Sequence, residues 1–129
     1  MKHPERVEDY LEHIAQAIQR ATEYVERLGS ASAFRQSRRD QDAVIRNIEI
    51  IGEAARQIQR QAPEFVTEHP ELPWTEMRSM RNKMIHGYFD VDVNVVWRTV
   101  KDDLPLLKQQ IDHLLNQPLR ATEPEPRSR

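Results

Sequence analysis

The sequence predicts an all-α protein, folded as one antiparallel, up-and-down four-helix bundle. Two observations support this fold class. Apolar residues recur at alternating steps of three and four along most of the 129-residue chain, which is the period of amphipathic helices. Glycine occurs only three times, whereas charged residues make up 31% of the chain, and this composition favours helices over sheets. Cysteine is absent, so a disulfide framework is excluded.

The first two helices are marked by apolar stripes of different width. The first stripe spans residues 7–28, and Gly29 follows it as a stop signal. The second spans residues 44–58, and we expect its helix to begin within residues 32–40 and to end at Pro63. This second stripe covers well over half of the helix, whereas a surface helix needs an apolar arc of only about 100°. We therefore expect burial on two sides, by the bundle itself and, as one interpretation, by a second subunit.

A loop and a third helix are expected next. Residues 63–73 contain three prolines, and we interpret this segment as a loop. The third helix is expected over residues 75–86. Thr75 is a suitable N-cap, and Gly87 stands where a left-handed C-terminal cap is wanted.

The fourth apolar stripe, residues 93–114, again has the period of a helix. Asp92 is its expected N-cap. Pro105 interrupts the stripe and cannot donate a backbone hydrogen bond, so we expect a kink or a break near Asp102.

The chain is interpreted as one domain over residues 1–117 followed by a polar, proline-bearing tail over residues 118–129. No apolar run approaches the roughly 20 residues that cross a bilayer, and the N-terminus is charged, so we expect a cytoplasmic protein with no membrane association. The 19 basic and 21 acidic residues argue against holding long nucleic acids by bulk electrostatics, but they leave a small local site open.

The third helix departs from plain packing. On an ideal helix, Arg81 falls close to the centre of the apolar arc, and burying an unpaired guanidinium costs on the order of several kcal/mol. Arg81 therefore needs a partner or must open onto a cleft. Asn82 and His86 lie four residues apart and should stack on one face, with Arg78 extending the row. Such a set can hold a phosphate while the histidine moves a proton.

Structural interpretations of these residues remain open on spacing alone. Arg81 can be a buried structural arginine paired with Glu49 or Glu53, and His86 can bond the last helix carbonyls. Asn47 lies inside the apolar arc of the second helix. It is either a core amide satisfied by the backbone or a polar neighbour of Arg81.

Other polar residues give weaker signals. A basic run is interpreted as a solvated face, with phosphate steering as the alternative; it comprises Arg35, Arg38 and Arg39. The remaining histidines share no spacing, and we expect no metal site and no cofactor; they are His3, His13, His69 and His113.

Residues 81–88 read Arg, four residues, His, any residue, Tyr, with Asn directly after the Arg. This pattern resembles the HepT-like toxins of the HEPN superfamily. Residues 46–55 are similar to the second-helix signature of that family. Three shorter segments agree as well: 72–74, 96–97 and 104–106. The resemblance covers about residues 7–115, and the combination of motifs is specific.

The resemblance implies a metal-independent ribonuclease that acts as a toxin and works as a homodimer, with the motifs of both chains meeting at the interface. It implies a minimal nucleotidyltransferase as antitoxin, which silences the toxin by transferring AMP to the motif tyrosine. By position, Arg81 and His86 would be catalytic, Asn82 would support them, and Tyr88 would be modified. Weaker candidates for binding the RNA substrate are Arg78, Lys83 and Asn47.

Two functions from different classes follow. In the first, the RNA 2′-hydroxyl is the nucleophile, and a two-fold dimer brings two copies of His86 and Arg81 into one cleft. In the second, the chain is a non-catalytic helical module that binds a nucleotide or a nucleotidyltransferase. The intact pair of Arg81 and His86 favours the enzyme, and the wide apolar face of the second helix favours self-association.

Overall fold

A computed structural model describes residues 4–87 and 90–117 of the chain, with side chains from Arg6 onward. Tyr88 and the expected tail lie outside the described residues, so the predicted domain division stays a prediction. The elements in chain order are α1 (Pro4–Leu28), α2 (Ala31–Arg35), α3 (Arg38–Gln61), α4 (Pro63–Glu68), α5 (Trp74–Met84), β1 (Ile85–His86), β2 (Asp90–Val91), α6 (Val93–Arg98), a π-helical turn (Thr99–Asp103) and α7 (Leu104–Asn116).

The long helices α1 and α3 run antiparallel and form the centre of the bundle. Gln61, the last residue of α3, donates to the hydroxyl of Tyr10 at 3.1 Å and accepts from Arg6 at 3.4 Å. The start of α1 therefore lies against the end of α3. The apolar side chains between them are fully buried, and this contact confirms the first two predicted stripes.

Helix α5 and the last helix, built from α6 and α7, complete an up-and-down arrangement. Arg81 of α5 contacts Glu49 of α3, and the earlier Arg78 contacts the later Gln59, so α5 runs antiparallel to α3. Asn94, at the start of α6, bonds Arg35 of α2. The last helix then reaches the loop before α5, where Gln110 donates to the carbonyl of Glu71 at 3.0 Å. The predicted all-α bundle is confirmed, with one short β-hairpin added.

The wide apolar face of α3 is covered within a single subunit. Its buried apolar side chains run from Val44 to Ile58, and α1 packs against one side of the helix while α5 packs against the other. The prediction of burial on two sides is confirmed. Because two helices of the same chain account for it, the width of this face gives no separate support for self-association.

The segment predicted as a loop contains a helix in its first half. Pro63 occupies the first position of α4, where its missing N–H would be unsatisfied in any case and its fixed φ suits a helix. The expectation of a loop over residues 63–73 was therefore wrong for Pro63–Glu68. It holds for the stretch from His69 to Pro73.

The third predicted helix is shorter at its end than the sequence suggested. Helix α5 begins at Trp74 after Pro73, with no side-chain cap bond, so the predicted N-cap role of Thr75 was wrong. It ends at Met84 because Ile85 turns extended and His86 pairs with Asp90 in an antiparallel hairpin. The carbonyl of Met84 accepts instead from the N–H of Asp92, at 2.7 Å.

Gly87 has φ +79°, a left-handed conformation that glycine adopts without steric cost. The prediction of a left-handed residue at this position is confirmed. It serves the turn between β1 and β2 rather than a helix cap, since the helix has already ended.

The last helix has the predicted cap and the predicted interruption. The Asp92 side chain accepts from the N–H of Val95 at 3.3 Å. Within the π-helical turn, the N–H of Leu104 bonds the carbonyl of Thr99, five residues back. Pro105 follows at once and has no N–H for the next helical bond, so the wider turn accommodates it. No helix among the described residues is both long and apolar enough to cross a membrane.

Candidate active site

Helices α3 and α5 enclose a cleft of about 520 Å³. Its charged and amide lining comes from both helices: Glu49, Glu53, Arg56, Arg78, Arg81 and Asn82. Three guanidinium groups thus face two carboxylates, which leaves one excess positive charge at the cleft. A cleft with this balance suits a single anionic group better than a long polyanion.

Gly52 allows α3 and α5 to approach closely at the floor of the cleft. A Cβ added at this position would lie 3.1 Å from the carbonyl oxygen of Met77 and 3.6 Å from that of Arg78. The first distance is tighter than ordinary van der Waals contact, so a side chain here would push the helices apart. Sequence reasoning missed this role, although a lone glycine inside a helical pattern was the available signal.

The head group of Arg81 is not buried in the apolar arc. Its Nε donates to Oε2 of Glu49 at 2.7 Å, and the two side chains are 46% and 34% exposed. The long aliphatic stem carries the guanidinium out of the arc, as is common for arginine. The sequence offered an acidic partner or a cleft for Arg81, and the structure shows both. Arg81 is paired with Glu49, and it also lines the cleft.

Glu49 contacts a second cation on its own helix. Nη1 of Arg46 lies 3.9 Å from Oε1 of Glu49, while Oε2 is bonded to Arg81. Within the described residues, neither Nη atom of Arg81 has a hydrogen-bond partner. The Nη1–Nη2 edge of this guanidinium is the geometry that binds a phosphate through two parallel hydrogen bonds.

Two neighbours on α5 share the cleft with Arg81. Arg78 donates from Nη1 to Oε1 of Gln59 at 2.9 Å, and Asn82 lies one turn further along the same face. The side chain of Asn82 is exposed, and it forms no hydrogen bond to any residue the structure describes. The structure therefore brings Arg78, Arg81 and Asn82 together, as the sequence predicted. Lys83 is also exposed but does not line the cleft.

His86 does not stack on Asn82, and that prediction was wrong. The helix on which both were placed ends at Met84, so His86 lies on β1, paired with Asp90. It is exposed and is not part of the cleft lining. The hairpin remains tied to the turn of Arg81, whose carbonyl accepts from the N–H of Ile85. One chain therefore places the histidine beside the cleft rather than in it.

Asn47 is buried, and its Nδ2 donates to the carbonyl of Ala43 at 2.9 Å. It does not line the cleft. This geometry matches the core-amide alternative raised by the sequence. Tyr88, predicted as the modified residue, lies outside the described residues, so its position relative to the cleft stays a prediction.

Comparison with known proteins agrees with these features. A family model described as "Ribonuclease HepT-like" matches residues 14–114. The chain belongs to the HepT-like ribonuclease family. The match includes α3, α5 and the hairpin, so the HepT-like segment contains every residue of the cleft.

Three relatives are similar to most of this HepT-like chain. The "Probable ribonuclease HepT" of Thermococcus cleftensis is 47% identical over 106 residues, which cover 82% of this chain and 93% of the relative. A "Putative RNase" of Caldanaerobacter subterraneus is 36% identical over 82% of this chain and 91% of the relative. A Methanocaldococcus jannaschii protein, "Gamma-glutamylcyclotransferase and putative RNase", is 41% identical over 81% of this chain, which spans only 46% of that relative. No solved structure matches the chain.

Proposed function

We propose that this HepT-like chain is a metal-independent endoribonuclease that cleaves RNA with the help of the substrate's own 2′-hydroxyl. The observation that carries the proposal is the state of Arg81: exposed, held through Nε by Glu49, and with its Nη edge unbonded among the described residues. A guanidinium in this state is prepared to bind a phosphate group. The names of relatives described as ribonucleases support the same substrate class.

The proposed reaction is a transesterification. The ribose 2′-oxygen attacks the adjacent phosphorus while the bond between phosphorus and the 5′-oxygen breaks. A base removes the 2′-hydroxyl proton, and an acid protonates the leaving 5′-oxygen. The products are a 2′,3′-cyclic phosphate and a 5′-hydroxyl. We assign the proton transfers to His86 and the stabilisation of the crowded phosphorane charge to Arg81, with Asn82 supporting the phosphate. Arg78 and Lys83 are secondary contacts to substrate, whereas Asn47 acts as a core amide.

The reaction needs a base and an acid, yet one chain offers a single motif histidine, which lies beside the cleft. A two-fold dimer supplies two copies of His86 and two of Arg81 to one groove. We therefore propose a homodimer with a composite site. Sedimentation equilibrium of the native chain should give twice the monomer mass, and a monomer that cleaves RNA at full rate would contradict the composite site.

We propose further that the chain is the toxin of a type VII HEPN/nucleotidyltransferase pair in the cytoplasm. Its antitoxin would transfer AMP to Tyr88, two residues from His86 in the chain. The added bulk and negative charge would exclude RNA from the groove. Co-expression with the proposed nucleotidyltransferase antitoxin should add the mass of AMP to the native chain and not to Tyr88→Phe. Equal masses with and without an active partner would contradict this regulation.

A second candidate function is a non-catalytic module that binds a nucleotide or a nucleotidyltransferase through the same cleft. The position of His86 outside the cleft of a single chain is the observation that favours it. The test is incubation of total cellular RNA with the purified chain in EDTA. The ribonuclease proposal expects cleavage by the native chain and by His113→Ala, an exposed histidine on α7, and loss of cleavage in His86→Ala. If none of the three cleaves RNA, the binding module is the better account.

A further inference from the structure

Two arginines from different elements converge on one asparagine at the hairpin end of the bundle. Nη1 of Arg35, on α2, donates to the side-chain oxygen of Asn94 at 3.3 Å. Nε of Arg98, on α6, donates to the backbone carbonyl of the same Asn94 at 3.4 Å. Both distances are long compared with the usual 2.9–3.0 Å of such bonds, so a stronger acceptor can compete for these N–H groups.

Neither arginine forms an ion pair with any residue that the structure describes. The ion pairs of the described residues involve other cations, and both Arg35 and Arg98 are exposed. Asp92, two residues before Asn94, serves as the N-cap of α6. Arg38, from the same basic run as Arg35, is neutralised by Asp42 at 3.6 Å. Among the described residues, the fold thus pairs Arg38 and leaves Arg35 and Arg39 without an ion pair.

A third cation lies one turn further along the last helix. The ammonium group of Lys101 is 5.7 Å from the centre of the Trp97 ring, and that ring contacts the buried Phe34 of α2 at 5.7 Å. The aromatic pair holds α2 against α6, the two helices that carry Arg35 and Arg98. Like charges on neighbouring elements repel one another, and a bound anion offsets that repulsion.

The cluster lies at the same end of the bundle as the candidate active site. The N–H of Asp92 bonds the carbonyl of Met84, the last residue of α5, at 2.7 Å. Asn94 follows two residues later, a span of at most about 7 Å of chain. A strand of RNA whose phosphate is held at Arg81 therefore has neighbouring phosphates within reach of this cluster.

We propose that Arg35 and Arg98, positioned by Asn94 and supplemented by Lys101, bind a backbone phosphate of single-stranded RNA next to the cleavage position. The inference rests on the proposed ribonuclease function and names a second contact for its substrate. Guanidinium groups bind phosphate through paired hydrogen bonds, and a contact of this kind positions the strand without reading its sequence.

The test compares two double variants with the same change in net charge. Arg35→Gln/Arg98→Gln removes the cluster, whereas Arg20→Gln/Arg60→Gln removes two exposed arginines that also lack an ion pair among the described residues. Both are made in a His86→Ala background to prevent cleavage. Binding of a fluorescent single-stranded RNA is measured by anisotropy over a series of KCl concentrations, with circular dichroism as the control for folding.

We expect the cluster variant to bind at least about tenfold more weakly and to lose about 0.7 from the slope of log affinity against log salt, because each phosphate neutralised on a single strand contributes about 0.7. The control variant should keep both values near those of the parent, and Arg35→Lys/Arg98→Lys should keep most of the slope. Equal losses of RNA binding in the cluster and control variants would overturn the proposal. Unchanged RNA binding in the cluster variant, with loss only of binding to a partner protein, would overturn it as well. A native chain that binds RNA through this cluster but never cleaves it would contradict the ribonuclease and leave the phosphate site standing.

Discussion

The Nε atom of Arg81 lies 2.7 Å from Oε2 of Glu49, so α3 fixes the direction of a cation that α5 supplies. Because both side chains are partly exposed, the pair contributes little to stability, typically about 0–1 kcal/mol. Its value is in positioning: with Nε bonded to Glu49, the Nη edge is directed away from that carboxylate. The relationship also links the two sequence segments that carry the family resemblance.

Glu49→Ala should lower the rate of RNA cleavage by about 10- to 100-fold, since a misplaced catalytic group has an effect of this size. The free energy of unfolding should change by less than about 1 kcal/mol. Glu49→Gln keeps an oxygen acceptor for Nε and should retain most of the rate. Glu53→Gln is the control, because Glu53 lines the same cleft but contacts Arg56 and Gln57 instead. Native cleavage by Glu49→Ala would show that Arg81 needs no such support.

Gly52→Ala should destabilise the bundle. The new Cβ meets the carbonyl oxygen of Met77 at 3.1 Å, and overpacking of this kind costs about 1–3 kcal/mol. The better helix propensity of alanine offsets up to about 1 kcal/mol of this, so we expect a net loss on the order of 1 kcal/mol in urea unfolding. The adjacent Glu53→Ala, at an exposed position, should stay within about 0.5 kcal/mol of the parent. A Gly52→Ala protein as stable as the parent would show that α3 and α5 are free to separate.

Asn47→Ala and Asn82→Ala should have opposite effects. The amide of Asn47 is buried and bonds the carbonyl of Ala43, so its removal should cost about 1 kcal/mol of stability and leave the cleavage rate of the folded protein unchanged. Asn82 is exposed in the cleft, so its removal should lower the rate and leave the unfolding midpoint unchanged. The result that contradicts this division is a large loss of cleavage in Asn47→Ala without loss of stability.

Acid should lower the stability of the bundle through Glu71, which lies in the loop between α4 and α5. A backbone hydrogen bond of Glu71 itself, followed by the imidazole of His69 at 3.2 Å, lowers the pKa of this carboxyl below its ordinary value. A carboxyl with a lowered pKa in the folded state contributes stability at higher pH and loses it as the pH falls. We therefore expect stability to fall below about pH 4.3, the ordinary value for glutamate, and Glu71→Gln to reduce that fall. Thermal unfolding of both proteins between pH 3 and pH 6, chosen as roughly one unit or more on either side of that value, is the measurement, and identical pH profiles would exclude this contribution.

The helices could be predicted because apolar period, caps and prolines act locally. The stripe before Gly29, the cap at Asp92 and the interruption before Pro105 all depend on neighbours in the chain. The hairpin could not be predicted in this way. Its strands are only two residues long. His86 pairs with Asp90 in place of one more helical turn, with which the apolar spacing of the sequence was equally compatible.

The site was predicted in part. The row of Arg78 and Asn82 and the partner of Arg81 follow from helix geometry and from the need to pair a charge. The sequence left open whether the guanidinium of Arg81 is buried or opens onto a cleft, because a helical wheel locates the Cα atom and not the end of a long side chain. The close contact at Gly52 depends on how two helices cross, which a single helix pattern does not encode.

Mapping the ends of RNA fragments tests most directly whether Arg81 and His86 act on an RNA phosphodiester without a metal. Total RNA is incubated in EDTA with the native chain, with Arg81→Ala and with His86→Ala, and the fragment ends are identified chemically. We predict 2′,3′-cyclic phosphates and 5′-hydroxyls from the native chain and at least about a 100-fold loss of fragments from each variant. Fragments that carry 3′-hydroxyls and 5′-phosphates, or equal yields from Arg81→Ala, would contradict this mechanism.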